Sequence, residues 1–295
     1  MRDCAPQPQE DLPMSDAIHT TDGLSLHTRL WDADAPRGQV LLVHGLGEHA
    51  GRYEELAQTL CSHGWRVAAY DQRGHGQSDG ARGLIAADDS LLADLGRMLT
   101  VVRAAGSGPL VLLGHSMGGA VAARYVAEGL AERPAAWWQP VEALVLSSPA
   151  LDIGASALQR LLLAVVPRLL PSLCVNNGLD AAWISRDPAV VAGYLADPLV
   201  HNRISGRLGR FLAQAGPAVQ AVAPRWSVPT LLMWAGADRC VAPAGSARFA
   251  QQAPSAVLSH REWPGLAHEI FHEPERAEVM AALLDWLDTR NPAGI

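Results

Sequence analysis

The chain has 295 residues, 49% of them hydrophobic, so it can bury one large core, and a single α/β domain of this size is ordinary. Its formal net charge is −7 without a basic cluster, which argues against nucleic acid as a partner. All 23 basic residues are arginines, and the absence of lysine excludes Schiff-base catalysis and a Walker P-loop.

The first 20 residues are predicted to be disordered. They are rich in proline, glutamine and acidic residues, and they lack the apolar core of a secretory signal. The longest apolar run, Leu161–Val166, is far shorter than the roughly 20 residues that a membrane span requires. The cysteines are scattered, without the spacing of a zinc site or of a disulfide framework, at Cys4, Cys61, Cys174 and Cys240. We therefore expect no metal site and a reducing, cytoplasmic location.

Apolar runs typical of strands alternate along the chain with stretches of helical periodicity. The predicted strands are Leu24–Trp31, Val40–Val43, Trp65–Tyr70, Leu110–Leu113, Ala143–Leu146, Thr230–Trp234 and Val257–Trp263. The predicted helices are Arg52–His63, Leu91–Ala105 and Glu273–Arg290. Strands that alternate with helices form a mostly parallel sheet covered on both faces, so the chain is predicted to be an α/β protein. Ligands of such sheets bind beyond the carboxyl ends of the strands.

The loop His44–His49 directly follows the predicted strand Val40–Val43. Its glycines allow a backbone N–H to point into a cleft, as the oxyanion hole of an acyl-transfer enzyme requires. We assign Leu46 as this donor.

A G-x-S-x-G motif, Gly114–Gly118, lies between a predicted strand and an alanine-rich helix. In this context the motif places a serine on a strained turn at the end of the strand, where its hydroxyl projects into a cleft. Ser116 is therefore the candidate nucleophile. The backbone N–H of the next residue, Met117, is the second candidate oxyanion donor.

Residues 151–224 break the alternation of strands and helices. They contain helical stretches, several prolines and a leucine-rich cluster, but no clean strand. We interpret them as a mainly helical cap inserted between two parts of the core, 21–150 and 225–295. An apolar cap would exclude water and provide a surface for a fatty chain or for transient contact with a membrane interface. The candidate contacts of the acyl chain are Leu162, Val166 and Leu170.

A serine nucleophile needs a base, and the base needs an orienting acid. Asp238 lies in a loop just beyond the predicted strand Thr230–Trp234, and His268 lies in the loop after Val257–Trp263. The chain order Ser, Asp, His is that of the α/β-hydrolase triad. Asp152 is the alternative acid. Their positions disfavour the other candidate bases, His44, His75, His260 and His272.

Several motifs together resemble those of the monoacylglycerol lipase and lysophospholipase branch of the α/β-hydrolases. They are Val43–His49 with Gly51–Tyr53, Tyr70–Ser78, Gly114–Gly119, Asp197–Leu199 and Gly236–Arg239. The resemblance implies an α/β-hydrolase fold with a lid over an acyl-chain pocket, and hydrolysis of carboxylic esters of single-chain lipids without a cofactor. It also implies the same triad and the same oxyanion donors as the motifs above.

The resemblance further implies how the glycerol head would be held. The polar residues that hold this head in the animal monoacylglycerol lipases match Glu48, Arg52 and Tyr194. Those enzymes also carry a second histidine three residues after the catalytic one, where this chain has Phe271 and places His272 one position later.

The favoured function is hydrolysis of a small lipid-like ester through an acyl-enzyme. With the same triad, the alternatives are a generic carboxylesterase, an acyltransferase or a peptidase. A catalytically idle hydrolase fold that binds a ligand is a third class, and the presence of all three triad residues argues against it.

Overall fold

The computed structural model describes residues 18–289, apart from the side chains of residues 157, 158, 160, 161, 162 and 164. The strands are β1 (Ile18–His19), β2 (Ser25–Leu26), β3 (Thr28–Trp31), β4 (Gly38–Val43), β5 (Trp65–Tyr70), β6 (Leu110–His115), β7 (Ala143–Ser147), β8 (Cys174–Asn176), β9 (Arg203–Ser205), β10 (Thr230–Ala235) and β11 (Leu258–Trp263). The helices are α1 (Glu54–Ser62), α2 (Ser90–Ala105), α3 (Ser116–Glu128), α4 (Ala157–Leu169), α5 (Pro188–Ala196), α6 (Gly206–Val222), α7 (Pro243–Gln252) and α8 (Arg276–Thr289). Single 3-10 turns lie at Ala50–Tyr53, Ala181–Trp183, Ala223–Arg225 and Ile270–His272.

Seven strands form the central sheet, in the spatial order β11–β10–β7–β6–β4–β5–β3. Its neighbouring strands are parallel except for β3 and β5, which are antiparallel. A mostly parallel sheet with helices on both faces confirms the predicted α/β-hydrolase fold. Within residues 18–289, no helix is long and apolar enough to cross a bilayer.

The side chains of the central strands alternate between two cores, one on each face of the sheet. In β4, Leu41 and Val43 face the core that includes α2, α3 and α6, whereas Val40 and Leu42 face the core that includes α1 and α8. All four side chains are buried. Because each buried aliphatic side chain contributes on the order of 2 kcal/mol, the sheet is a rigid frame for the loops at its carboxyl ends.

Each predicted strand is present, with boundaries shifted by a few residues. The predicted strand Leu24–Trp31 is divided at His27, because β2 pairs with β1 whereas β3 pairs with β5. Strand β1 lies inside the segment expected to be disordered, so this expectation is wrong for residues 18–20. The remainder of that segment, with Cys4, lies outside the described residues.

The chain leaves the central sheet between β7 and β10, where the inserted cap is predicted. Helices α4, α5 and α6 lie in this insertion, together with an antiparallel pair formed by β8 and β9. The expectation of no strand here is therefore wrong, because two three-residue strands give no recognisable pattern in the sequence. Helix α6 packs against α3 of the core, and α4 packs against α6, so α6 is the inner layer of the insertion.

Candidate active site

Ser116 lies at the junction of β6 and α3, with a backbone conformation that few serines adopt (φ 53°). Glycines on both sides allow the turn to be tight. A Cβ on Gly118 would overlap the carbonyl oxygen of Val43, and a Cβ on Gly114 would overlap that of Gly118. Such strain costs on the order of 1 kcal/mol or more, and the turn exposes the hydroxyl at the end of the strand.

His268 lies between Ser116 and Asp238. The Ser116 hydroxyl donates to His268 Nε2 at 2.8 Å, and His268 Nδ1–H donates to Asp238 Oδ2 at 2.6 Å. An ionised carboxylate only accepts hydrogen bonds, so the neutral imidazole carries its proton on Nδ1 and accepts at Nε2. Asp238 Oδ1 accepts from the backbone N–H groups of Cys240 (2.8 Å) and Val241 (3.1 Å), which fix the orientation of the carboxylate.

The environment makes His268 a stronger base. Burial alone would lower the pKa of His268, but the charge and hydrogen bond of Asp238 raise it above its ordinary value. The same carboxylate stabilises the imidazolium that forms when the ring takes a proton from the hydroxyl. The arrangement can therefore activate Ser116 as a nucleophile.

The loop His44–His49 passes directly beside the serine. A Cβ on Gly45 would lie 3.2 Å from Ser116 Cβ, and both Leu46 and Met117 line the cavity wall that contains Ser116. Met117 belongs to the first turn of α3, where backbone N–H groups have no partner within the helix. Leu46 and Met117 thus lie in the same wall as Ser116, and their role as oxyanion donors stays a prediction.

The alternative acid and the other candidate bases have partners outside the triad. Asp152 pairs with Arg248 at 3.5 Å. His44 donates from Nδ1 to the next carbonyl and accepts a backbone N–H at Nε2, so it braces the loop beside the serine. His75 donates to a backbone carbonyl two residues earlier, and the ring of His260 packs at 5.8 Å against a tryptophan of β10.

Two cavities meet at Ser116. The first, with a volume of about 370 Å³, is lined by polar and apolar groups in similar measure, and we call it the polar cavity; the second, with about 480 Å³, is mainly apolar, and we call it the apolar cavity. Residues that line both cavities include Leu46, Ser116 and Cys240. The polar residues in the wall of the polar cavity include Glu48, Asp180, Tyr194, Asp197, His201 and Glu269, and the apolar residues there include Leu179, Ile184, Leu195 and Val200. The wall of the apolar cavity includes Ala150, Ile153, Leu163, Val166, Leu170 and Val241.

Four of the six candidate substrate contacts lie in these walls, namely Glu48, Tyr194, Val166 and Leu170. Arg52 lies behind the wall of the polar cavity, where it is ion-paired with Glu48 at 2.6 Å. Its guanidinium is 4.8 Å from the centre of the Tyr194 ring, within the range of a cation–π interaction. The side chain of Leu162 lies outside the described part of the chain.

Sequence reasoning missed two buried carboxylates near the triad. Glu269 directly follows His268 and is buried in a cluster of ion pairs. Glu273 is fully buried, and its carboxylate accepts from the backbone N–H groups of Arg186 (2.5 Å) and Ala267 (2.8 Å), so it joins the insertion to the loop of His268. The available signal was the presence of an acidic residue on either side of Ile270–His272, directly after His268.

A hydroxyl, an imidazole and a carboxylate hydrogen-bonded in series, on loops at the carboxyl ends of a mostly parallel sheet, define a serine hydrolase of the α/β-hydrolase fold. Known proteins place the chain more narrowly. Residues 34–275 match the family described as Serine aminopeptidase, S33, and the chain belongs to this family.

The chain is similar to several known proteins along most of its own length. It is 35% identical to a monoacylglycerol lipase of Mycolicibacterium smegmatis, over 90% of this chain and 93% of that protein. It is 32% identical to an uncharacterized abhydrolase domain-containing protein of Dictyostelium discoideum, over 92% of this chain, but it spans only 28% of that protein's length. The structure also superposes on the crystal structure of a Paleococcus ferrophilus monoacylglycerol lipase with a TM-score of 0.78. The two sequences are 34% identical, and the match covers 90% of this chain and 99% of that lipase chain. These similarities confirm the predicted resemblance, and the chain is a carboxylic ester hydrolase.

Proposed function

We propose that the chain hydrolyses monoacylglycerols and closely related single-chain lipid esters through an acyl-enzyme on Ser116. The observation that carries this proposal is the meeting of an apolar and a polar cavity at a hydroxyl that is hydrogen-bonded to His268. Such a pair of cavities fits an ester with a long apolar acyl group on one side and a small polar alcohol on the other. Similarity to monoacylglycerol lipases supports the same substrate class.

The reaction proceeds in two halves. Ser116 attacks the ester carbonyl while His268 Nε2 takes its proton, and the carbonyl oxygen, now negative, accepts hydrogen bonds from the backbone N–H groups of Leu46 and Met117. His268 returns the proton to the alcohol oxygen as the C–O bond breaks, and the acyl group stays on the serine. Water, deprotonated by His268, then attacks the acyl-enzyme and releases the fatty acid, and His268 returns the proton to Ser116.

The polar cavity is assigned to the alcohol. Burial raises the pKa of the Tyr194 hydroxyl, so this group stays protonated and can donate to an alcohol oxygen. Glu48 in the same wall stays ionised: burial alone would raise the pKa of its carboxyl, but the charge of Arg52 lowers it. A carboxylate acceptor and a phenol donor suit the paired hydroxyl groups of glycerol.

The apolar cavity is assigned to the acyl chain, and the insertion, residues 151–224, acts as its cap. Large hydrophobic side chains are exposed on this insertion, at Val165, Val166, Leu169, Leu170, Leu173, Val175, Leu179 and Leu195. Five of these side chains also line the apolar cavity, so the exposed patch continues into it. An exposed apolar patch beside a binding cavity is typical of contact with a lipid surface, and we assign transient membrane contact to it. The cytoplasmic location stays a prediction.

The proposed function is tested with a panel of esters. The panel contains monoacylglycerols from butyryl to stearoyl, the p-nitrophenyl esters of the same acids, lysophosphatidylcholine, diacylglycerol and an aminoacyl p-nitroanilide. We expect kcat/KM to be highest for long-chain monoacylglycerols, at least about tenfold above diacylglycerol, because the second acyl chain of a diacylglycerol would have to enter the polar cavity. Preference for butyryl esters without gain from longer chains would indicate a generic carboxylesterase, and cleavage of the anilide alone would indicate a peptidase.

Gly209→Val should shorten the acyl chain that the apolar cavity accepts. Gly209 lines this cavity, and a Cβ added to it would already lie 3.1 Å from Leu163 Cδ2, so the valine methyl groups would occupy cavity space. We expect kcat/KM for oleoyl esters to fall about tenfold or more, since space for one methylene is worth ~1–3 kcal/mol, whereas butyryl esters should be unaffected.

Gly193→Val is the matched control for this substitution. Gly193 is also a helical glycine, in α5, and a Cβ added to it meets open space. The control should leave the ratio of kcat/KM for oleoyl and butyryl esters unchanged. If Gly209→Val lowered kcat/KM equally for both esters, the assignment of this cavity to the acyl chain would be wrong.

A further inference from the structure

Glu269 is a buried carboxylate that has no part in the reaction steps given above. It directly follows His268 and is 4% exposed. Arg52 donates to both of its oxygens, from Nη1 to Oε1 at 2.6 Å and from Nη2 to Oε2 at 2.7 Å. A bidentate guanidinium–carboxylate pair constrains both the distance and the relative orientation of its partners.

Arg52 connects Glu269 to the loop that carries the candidate oxyanion donor. Arg52 Nη1 also donates to Glu48 Oε2 at 2.6 Å, and Glu48 Oε1 accepts from the backbone N–H of Gly45 at 2.5 Å. Gly45 immediately precedes Leu46. Three charged side chains therefore form a continuous series of hydrogen bonds between the two loops that flank the serine hydroxyl.

His272 completes this group of side chains, and we call Glu48, Arg52, Glu269 and His272 the charge cluster. His272 Nδ1 faces Glu269 Oε2 at 3.0 Å, and its Nε2 faces the carbonyl oxygen of Arg52 at 2.9 Å. Both partners only accept hydrogen bonds and a neutral imidazole has one N–H, so the imidazolium satisfies both contacts. Burial alone would lower the pKa of His272, but the hydrogen bond and charge of Glu269 raise it. Two carboxylates and two cations give the charge cluster no net charge.

Stability alone does not account for the charge cluster. Removing an ion from water costs several kcal/mol, and exchanging a buried ion pair for apolar residues is often neutral or stabilising. What the charge cluster provides is directional bonding between distant parts of the chain, since Arg52 and Glu269 are separated by 217 positions. Short charge-assisted bonds of this kind would be lost after a small shift of one loop against the other.

We propose that Glu269 is a positioning residue, which acts through Arg52 and Glu48 to hold the oxyanion loop in place relative to His268. The inference rests on the proposed function, because that function gives the two loops their roles. Formation and hydrolysis of the acyl-enzyme use the same donors and the same imidazole, so Glu269 acts on both halves of the reaction.

The test is Glu269→Gln, which preserves the size of the side chain but removes its charge and places an amide beside a guanidinium. We expect kcat to fall about tenfold or more with KM little changed, because displacement of reacting groups by a fraction of an ångström to one ångström has effects of this size. The measurement is steady-state kinetics with two esters of one acid, 1-decanoylglycerol and p-nitrophenyl decanoate. Positioning lowers kcat by the same factor for both esters. A rise in KM confined to the glycerol ester would instead make Glu269 a contact of the head group and would overturn the proposal.

Glu262→Gln is the matched control, since Glu262 is an exposed carboxylate on β11, and kcat should stay at the wild-type value. Thermal unfolding shows whether Glu269→Gln is folded. If it is not, Arg52→Lys is the second variant: an ammonium keeps the charge but lacks the planar fork that spans two carboxylates, and the same equal loss of kcat is expected. A folded variant with wild-type kcat for both esters overturns the positioning role. Wild-type protein that hydrolyses neither ester would refute the proposed function instead.

Discussion

Replacing Ser116 with alanine should lower kcat for every ester by about 10⁵-fold or more, because no other group can form the acyl-enzyme. The Ser116 hydroxyl is the group hydrogen-bonded to His268 Nε2, at 2.8 Å, and it lies where the two cavities meet. The remaining rate would come from the oxyanion donors and from substrate binding alone. Steady-state hydrolysis of p-nitrophenyl decanoate, with product followed over hours, measures this difference.

The Ser116→Ala protein should be folded and should still bind substrate. Alanine and serine experience the same strain at φ 53°, and the tight approach of Gly118 to Val43 is unaffected, so the thermal midpoint should change by no more than a few degrees. Binding of a non-hydrolysable ether analogue of a monoacylglycerol should persist. Residual turnover above about one percent of wild type would show that Ser116 is not the nucleophile.

Asp238→Asn should lower kcat by about 10⁴-fold, the effect of this change in other serine hydrolase triads. The hydrogen bonds at this site explain why the effect should be large. Backbone N–H groups of Cys240 and Val241 donate to Oδ1, so the carbonyl of an asparagine is held at that position and its NH₂ faces His268 Nδ1. His268 Nδ1 must then accept a hydrogen bond, which puts the ring proton on Nε2, where it cannot take the proton of the serine.

The pH profile separates this explanation from a loss of folding. His268 must be neutral to act as a base, so kcat/KM rises with pH through the pKa of His268, which Asp238 raises above the ordinary value. Without the carboxylate, burial dominates and lowers the pKa, so the acidic limb of the residual activity should move to lower pH. Asp152→Asn is the matched control and should retain wild-type kcat. An acidic limb at the same pH in wild type and Asp238→Asn would contradict the pairing with His268.

The sequence predicts the central sheet and the candidate triad because both depend on local patterns. Each strand of the sheet is a short apolar run bounded by turn residues, and such a run is recognisable without its neighbours. Ser116, Asp238 and His268 each follow one of these runs, and parallel strands bring such loops to one edge of the sheet. Local patterns are therefore sufficient to predict that these three residues converge.

The charge cluster could not be predicted in the same way. Arg52 lies in a turn at the start of α1 and Glu269 lies in the loop after β11, and nothing near either residue in the sequence identifies its partner. The resemblance led us to expect Arg52 as a contact of the glycerol head, whereas the structure places it behind the cavity wall in a bidentate pair. Helix α7 was also missed, because its sequence is weakly apolar and only Pro243 at its first turn marks its beginning.

Under the proposed function, the two cavities at Ser116 have different parts in the departure of the products. In the proposed reaction the alcohol is freed into the polar cavity while the acyl chain is still covalently held in the apolar cavity, so the alcohol, glycerol for a monoacylglycerol, is the first product to diffuse away. The hydrolytic water must then enter the space that the alcohol has left. The polar cavity therefore holds first the leaving group and then the incoming nucleophile. Throughout this exchange the acyl chain stays in the apolar cavity, so only the polar cavity changes its contents.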